Sequence, residues 1–422
     1  MAELGKSTVS DELHAPTSAL APLREPLFRS LWIAAVISYT GTWMQNVGAG
    51  WLMASLTMSP LMVGLVQAAT SLPVFLVVLP AGALADIVDR RRLLLITQSW
   101  MVLAAAALGI LTLLNIVTPW ILLLLTFLLG FGAVMNDPAW QAITPDIVSR
   151  EQHASAVALN SAGFNVARAI GPPLGGLVIL AAGSGTAFLL NAASFFGVIF
   201  FLYHWKCIPR ERHGSEGVMP AIRTGLRYMR GSAPVKAVLV RTVVFSFSAI
   251  ALLALLPLIA KPFGSAGYGF LLGCFGMGAL SGAAVLPRLR RRQSMDVLVG
   301  WATVIFAVVI FAVGRAQSFA LLATLLFLGG VGWIAILVCL NFTAQTMSPS
   351  WVRARSLSMY LLVLQGGMAA GSAAWGALAA RTGIPFAMMC AAIGLFVGLV
   401  AIKWHRLTVP HHVELAPPIV HE

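Results

Sequence analysis

Long apolar runs, broken by short polar punctuation, fill the chain from residue 28 onward. A helix needs about 20 mostly apolar residues to cross the hydrocarbon core of a bilayer. Twelve stretches meet that rule: 28–56, 60–85, 93–114, 119–141, 154–181 and 186–205, then 235–260, 266–287, 297–314, 318–345, 353–380 and 384–404. An even number of spans returns both ends of the chain to one side. The opening residues are polar, with Glu3, Lys6, Asp11 and Glu12, and read as a solvated tail rather than a cleavable signal peptide, which would carry a charged start and then an apolar core.

Composition points the same way. Of 422 residues 59% are hydrophobic and 10% charged, and the mean hydropathy is +0.89. A soluble domain with that balance would expose large apolar surface, so the bilayer is the expected solvent. The net charge of +13 invites a nucleic-acid reading, but its distribution argues against one. The cations gather at helix ends rather than along a soluble face. Lys261, Arg315 and Arg381 fall on the side opposite the termini, Arg168 and Arg241 fall inside spans, and all the others lie on the terminal side. Because lysine and arginine are retained in the cytoplasm, both termini are expected there. Cys207, Cys274, Cys339 and Cys390 show no paired spacing, so neither a disulfide nor a metal cluster is expected. No phosphate-binding glycine loop is present to make ATP the energy source. No catalytic constellation appears either: no Ser/His/Asp grouping at depth and no buried acid pair.

The chain also resembles itself at an offset of about 200 residues. Gly82 and Arg90 recur as Gly282 and Arg290, Gly130 and Gly132 as Gly330 and Gly332, Gly171 and Gly176 as Gly371 and Gly376. Several matches at one offset, joined to six spans plus six, indicate an internal duplication. The expected layout is a tail over 1–26, a six-helix bundle over 27–206, a cytoplasmic connector over 207–233, a second bundle over 234–405 and a tail over 406–422. Within the connector, Ile222, Leu226 and Met229 fall on one helical face and Arg223, Arg227 and Arg230 on the next, the pattern of a basic amphipathic helix lying on anionic lipid.

Two six-helix halves in parallel repeat form the plan of a major facilitator transporter. The fold class expected is therefore an all-α membrane protein with twelve transmembrane helices in two pseudo-symmetric halves. GTWMQNVGAGWLM at 41–53, LPAGALADIVDRRRLL at 79–94, NDPAWQAITPDIV at 136–148 and ALNSAGFNVARAIGPPLGG at 158–176 resemble the branch of that superfamily holding bacterial enterobactin-exporter-like and drug-exporter-like proteins. The resemblance spans essentially the whole chain. It implies a solute site near mid-bilayer between the halves, export of small organic molecules, protons as coupling ion, and a monomer in a bacterial inner membrane that needs no cofactor.

GALADIVDRRR resembles the superfamily's loop between the second and third helices. Gly82 allows close helix approach, Asp86 ends the second helix, and Asp89 with Arg90, Arg91 and Arg92 completes a network that in the family closes the cytoplasmic side. Ile87 stands where a basic residue is common and Asp89 where glycine is common, which leaves the pairing inside the network open. The alternative is a cluster that only anchors topology.

The fifth span carries the most unusual chemistry. On a 100° wheel, Gly163, Ala167, Gly171 and Gly175 make a small-residue stripe suited to tight helix packing. Ser161, Asn165, Arg168 and Pro172 make a polar stripe beside it. Pro172 and Pro173 remove backbone donors and predict a bend. Gly171–Pro172 with Pro173, Gly175 and Gly176 resembles the so-called antiporter motif of proton-coupled exporters. Arg168 lies near mid-span, where a cation costs at least about 2.5–3.5 kcal/mol, so it should face a cavity or a partner. It reads as an anchor for an anionic substrate, as a charge that senses proton movement, or as a structural arginine satisfied by carbonyls freed at the prolines. Tyr39, Trp43, Gln45, Asn46, Asn136, Asp137, Asn160, Asn165, Asn341 and Gln365 are the candidate cavity residues, interhelical bonding being the alternative for each amide. None of the 14 acids lies mid-span, and Asp137 and Asp86 come nearest. A cation specialist would want a central carboxylate, so neutral or anionic amphipathic solutes are expected. Arg241, shallow in its span, is expected to snorkel to the cytoplasmic interface. Nutrient import, lipid translocation and a non-transporting sensor are the rival readings.

Overall fold

The computed structural model describes residues 20–87, 89–204, 233–347 and 353–401. Its helices are α1 (Pro26–Leu56), α2 (Pro60–Ile87), α3 (Arg90–Leu113) and α4 (Pro119–Ile147), followed by a helical run from His153 to His204. That run divides at Gly183 into α5 (153–182) and α6 (184–204). After the connector come α7 (Ala233–Ile259), α8 (Gly264–Arg290), α9 (Met295–Val313), α10 (Phe319–Thr346), α11 (Arg353–Thr382) and α12 (Ile384–Ala401). Each falls on one of the twelve expected spans, with ends shifted by a few residues. The connector from 207 to 232, both tails, the surroundings of Gly82 and the side chain of Asp86 lie outside the described residues.

The 52 residues from 153 to 204 would extend about 78 Å as one straight helix, more than twice the hydrocarbon thickness. Gly183 breaks the run with φ +81°, a conformation that a side chain would strain. Gly383 does the same between α11 and α12 with φ +89°. The two turns sit 200 residues apart, at the offset of the internal repeat. Helix starts are set locally: Pro26 and Pro119 lie where the backbone donor is dispensable, and Ser294 caps α9 by accepting from the Val297 N–H.

The repeated glycines show what the duplication is for. Gly130 on α4 packs against α2, and Gly330 on α10 packs against α8. Gly132 meets α3, and Gly332 meets α9. Gly171 on α5 meets α1, and Gly371 on α11 meets α7. Gly176 and Gly376 work across the seam, Gly176 against α8 and Gly376 against α2. Advancing the glycine by 200 residues shifts its partner by six helices, so each half repeats the other's packing and the halves meet through α2 with α11 and α5 with α8.

Those seams run along the parts of the helices remote from the termini. A β-carbon on Gly64 would lie 2.5 Å from the Ser372 carbonyl oxygen, and one on Gly176 2.6 Å from that of Ser265. On the same side, Lys261, between α7 and α8, donates across the seam to the Ala54 carbonyl of α1 at 2.9 Å. That bond satisfies an acceptor left over at the C-terminal end of α1.

Arg241 is buried and paired with Asp296 of α9 at 2.6 Å, where snorkelling was expected. The acid at the second residue of α9 brings the counter-charge to the cation, so the side chain has no need to reach the interface. Among the described residues nine helical stretches are apolar and long enough to cross a membrane, with 153–204 counted once. The apolar part of α12 is shorter, and α1 is too polar to qualify.

Candidate functional site

Three faces of α5 do three jobs. Gly163, Gly171 and Gly175 press on α1, against Val36, Trp43 and Met44. Ala169, Pro173 and Gly176 meet the glycines of α8, so this is the face that joins the halves. Between them, Arg168 and Pro172 open onto a cavity. The backbone keeps helical dihedrals through Pro172–Pro173, and the non-helical residue of the run is Gly183.

The cavity has a volume of about 310 Å³ and lies between the two halves, with walls from α1, α2, α5, α7, α8, α10 and α11. Its two sides differ. The N-terminal half contributes Trp43, Asn46, Gln67, Thr70 and Arg168; the C-terminal half contributes Ile250, Leu253, Pro257, Leu272, Phe275 and Met368, with Trp333 and the nearly buried Tyr268. All the charge and all the amides therefore stand on one wall.

Arg168 stacks its guanidinium over the Trp43 ring at 5.7 Å from the centroid. Among the described residues it makes no hydrogen bond or ion pair. The reading in which kink carbonyls satisfy it finds no such bond: the Arg168 and Ala169 carbonyls, which the two prolines leave without helical donors, abut Gly276 and Gly273 of α8 instead. Asn46, one turn along α1 from Trp43, is exposed to the cavity.

Toward the termini the wall continues as a run of rings. Phe164 meets Trp43 at 6.2 Å and Tyr39 at 5.3 Å, both edge-on. The Tyr39 hydroxyl is approached by Trp140 and feels the charge of Asp137, both from α4. Asp137 is reached by solvent although protein surrounds it closely.

Of the expected cavity residues, Trp43, Asn46 and Arg168 line the cavity, while Tyr39 and Asp137 lie on its terminal-side approach. The other amides are engaged elsewhere. Gln45 is buried and accepts from Asn191 of α6; the pair ties α1 to α6 away from the cavity. Asn136 accepts from Thr97 and Gln98 of α3 at 3.2 and 3.1 Å. Asn160 donates to Thr144 at 3.1 Å, Asn165 to the Ser161 carbonyl at 2.8 Å, and Asn341 accepts from Gln345 at 2.6 Å. Gln365 is half-buried and is not among the lining residues. Inside a bundle an amide bonds readily to hydroxyls, carbonyls and other amides, and that engages all of these but Gln365.

The loop between α2 and α3 resolves part of its expected network. Asp89 caps α3 by accepting from the Arg92 N–H at 2.8 Å. Arg91 reaches across to the last turn of α6, donating to the Leu202 and Tyr203 carbonyls at 2.7 and 2.6 Å. A cation on a helix C-terminus satisfies free carbonyls and the helix dipole together. Sequence reasoning overlooked Phe164, Gln67, Thr70, Tyr268, Phe275 and Trp333; only the polar Gln67 and Thr70, one turn apart on α2, carried a signal that could have found them.

Two matched six-helix halves around a central cavity define a secondary transporter of the major facilitator type, an integral membrane protein and not an enzyme. The family model described as transmembrane secretion effector matches residues 17–419, and the chain belongs to that family. It is similar to the enterobactin exporter EntS of Escherichia coli, 25% identical over 403 residues that cover 91% of this chain and 94% of that one. It is also similar to the staphyloferrin A transporter of Staphylococcus aureus, 23% identical over 286 residues, 66% of this chain and 72% of the relative. Among solved structures, the inward-facing, occupied form of a bacterial homologue of the human lysosomal transporter Spinster shares its fold with a TM-score of 0.72 at 13% identity, covering 92% of this chain and 98% of that one. The nucleoside transporter NupG (D323A mutant) does so at 0.74 and 11%, covering 90% and 100%.

Proposed function

We propose that the protein exports small amphipathic organic molecules across a bacterial cytoplasmic membrane by alternating access, as a monomer, with protons as the coupling ion and both termini in the cytoplasm. The observation that carries this reading is the cavity between the halves, polar on one wall and apolar on the other, bounded by seams of backbone-to-backbone contact on the side away from the termini. With the termini cytoplasmic, this arrangement is the one closed to the outside. Rocking one half against the other would part the α2–α11 and α5–α8 seams there and press the terminal side shut, where Asp89 and Arg90–Arg92 stand. The excess of cations on the terminal side supports the orientation. Siderophores are the substrates to try first, since enterobactin and staphyloferrin A are what the named relatives move.

Everted membrane vesicles energised with an inward-acid pH gradient test this directly. Vesicles carrying the protein should accumulate a labelled amphipathic compound from a panel that includes catecholate and hydroxycarboxylate siderophores, and Leu253→Trp, which fills the cavity, should abolish the accumulation. Uptake only by right-side-out vesicles would make it an importer. No accumulation in either orientation, with the protein verified in the membrane, would end the transport reading.

A further inference from the structure

The two walls of the cavity specify more than a general amphipath. From their chemistry we infer that the transported molecule is an organic anion, bound with its negative group on the N-terminal half between Arg168 and Asn46 and its apolar body against α7, α8 and α11. This inference rests on the transport reading of the cavity and adds the charge and orientation of the ligand.

The argument begins with the cost of Arg168. A guanidinium deep in a membrane helix is unfavourable by at least about 2.5–3.5 kcal/mol, which is ordinarily offset by a carboxylate or by carbonyls. Arg241 shows that arrangement in the same chain, with Asp296 at 2.6 Å. Arg168 lacks it: among the described residues it contacts the face of Trp43 and forms no ion pair or hydrogen bond. Among the described residues the cavity wall holds no carboxylate. Asp137 stands beyond the lining, beside Tyr39, one turn of α1 nearer the termini than Trp43. A ring face accepts none of the guanidinium's N–H groups in a conventional hydrogen bond, so Arg168 keeps its donors for a planar or tetrahedral oxyanion. Asn46 lies on the same side of α1 as Trp43, three residues on, with its amide exposed to the cavity and unbonded among the described residues.

The opposite wall carries no charged group and no amide among the described residues, and its polar atoms are the Tyr268 hydroxyl and the Trp333 indole N–H. Ile250, Leu253, Pro257, Leu272, Phe275 and Met368 can take only an apolar body. A cavity of about 310 Å³ holds, in this state, a bicyclic aromatic, a short acyl chain with one acidic head, or one acidic arm of a larger solute. A soluble carboxylate or sulfonate and an anionic lipid headgroup share this chemistry.

The test uses the full chain in zwitterionic phosphatidylcholine nanodiscs and three probes with one body: 2-naphthoxyacetate, its uncharged amide, and the matching 2-naphthoxyethylammonium. Equilibrium dialysis should give affinities in the order anion, amide, cation, with at least about tenfold between the first two, the size of one charge-assisted hydrogen bond. Arg168→Gln should bring anion and amide together, and Arg168→Lys should retain part of the preference. Removing a costly cation does not threaten insertion, so the glutamine variant should keep its thermal stability. Leu253→Trp should weaken all three probes alike. If all three lose affinity in Leu253→Trp but bind equally well to the unmodified chain, or if the ammonium binds best, the cavity reading stands and the anion assignment is overturned. If no probe binds and Leu253→Trp changes nothing, the transport cavity itself fails and the assignment falls with it. Repeating the dialysis with anionic phosphatidylglycerol in the nanodiscs separates the sources: competition with naphthoxyacetate supports a lipid head, and unchanged binding supports a soluble anion.

Discussion

Gln45 and Asn191 face each other where α1 crosses α6, both nearly dry. Asn191→Leu would leave the glutamine amide buried without its partner, a loss of about 1–3 kcal/mol, and adding Gln45→Leu should recover most of it. Thermal unfolding in nanodiscs measures both, and a single variant as stable as the unmodified chain would show that the bond carries no weight. Asp296→Ala should cost about 2 kcal/mol, less than for a fully buried pair because water reaches Asp296. Under the proposed proton coupling, Asp137, beside Tyr39 and with no cation paired to it among the described residues, is the carboxylate to test. Asp137→Asn should abolish accumulation driven by a pH gradient while leaving exchange of labelled for unlabelled substrate in place; loss of both would remove it from the coupling step. The sequence revealed Arg168 because a cation in mid-span has few destinations. It could not sort the amides, since Gln45 and Asn46 are neighbours on one helix and only the packing of α6 decides that the first is consumed and the second is free to meet a solute.

At the level of elements, α5 was legible in outline: its glycine stripe and its arginine stripe both follow from spacing. What faces each stripe was not legible. The glycines meet α1, and the third face, with Gly176, meets α8 across the seam. A β-branched side chain at 176 would collide with the backbone of α8, since its first carbon would already lie 3.1 Å from the Cα atoms of Ala266 and Gly269. Gly176→Val should therefore hold the halves apart on the side away from the termini. In a background with the native cysteines replaced, a cysteine at the buried Ser265 should label with an impermeant maleimide at least about fivefold faster in that variant, as expected when a protected site opens. Lys261→Met, which removes the bond to the Ala54 carbonyl, should shift labelling in the same direction by less. Unchanged labelling in both variants would mean that neither contact holds this side shut. The turns at Gly183 and Gly383 carried a signal that the glycine comparison left unused, for they stand at the same 200-residue offset as the pairs that disclosed the repeat.

Across the whole molecule, duplication supplies two similar scaffolds and divergence makes them unequal: one wall of the cavity is charged, the other apolar. A ligand held by its head would ride with the N-terminal half while the C-terminal half slides past its body. The twelve spans and the duplication were legible because hydropathy and offset survive in a single chain; the asymmetry of the walls was not, because it depends on which residues of seven helices converge. One feature of α1 bears on how the molecule is made. The surface that receives this helix is the glycine seam of α5, which the ribosome does not deliver until three more helices have followed. A nascent chain halted before α5 would hold a first helix, with its glycines and amides, that has no groove to lodge in, and the partner it needs arrives only after more than half of its bundle has been made.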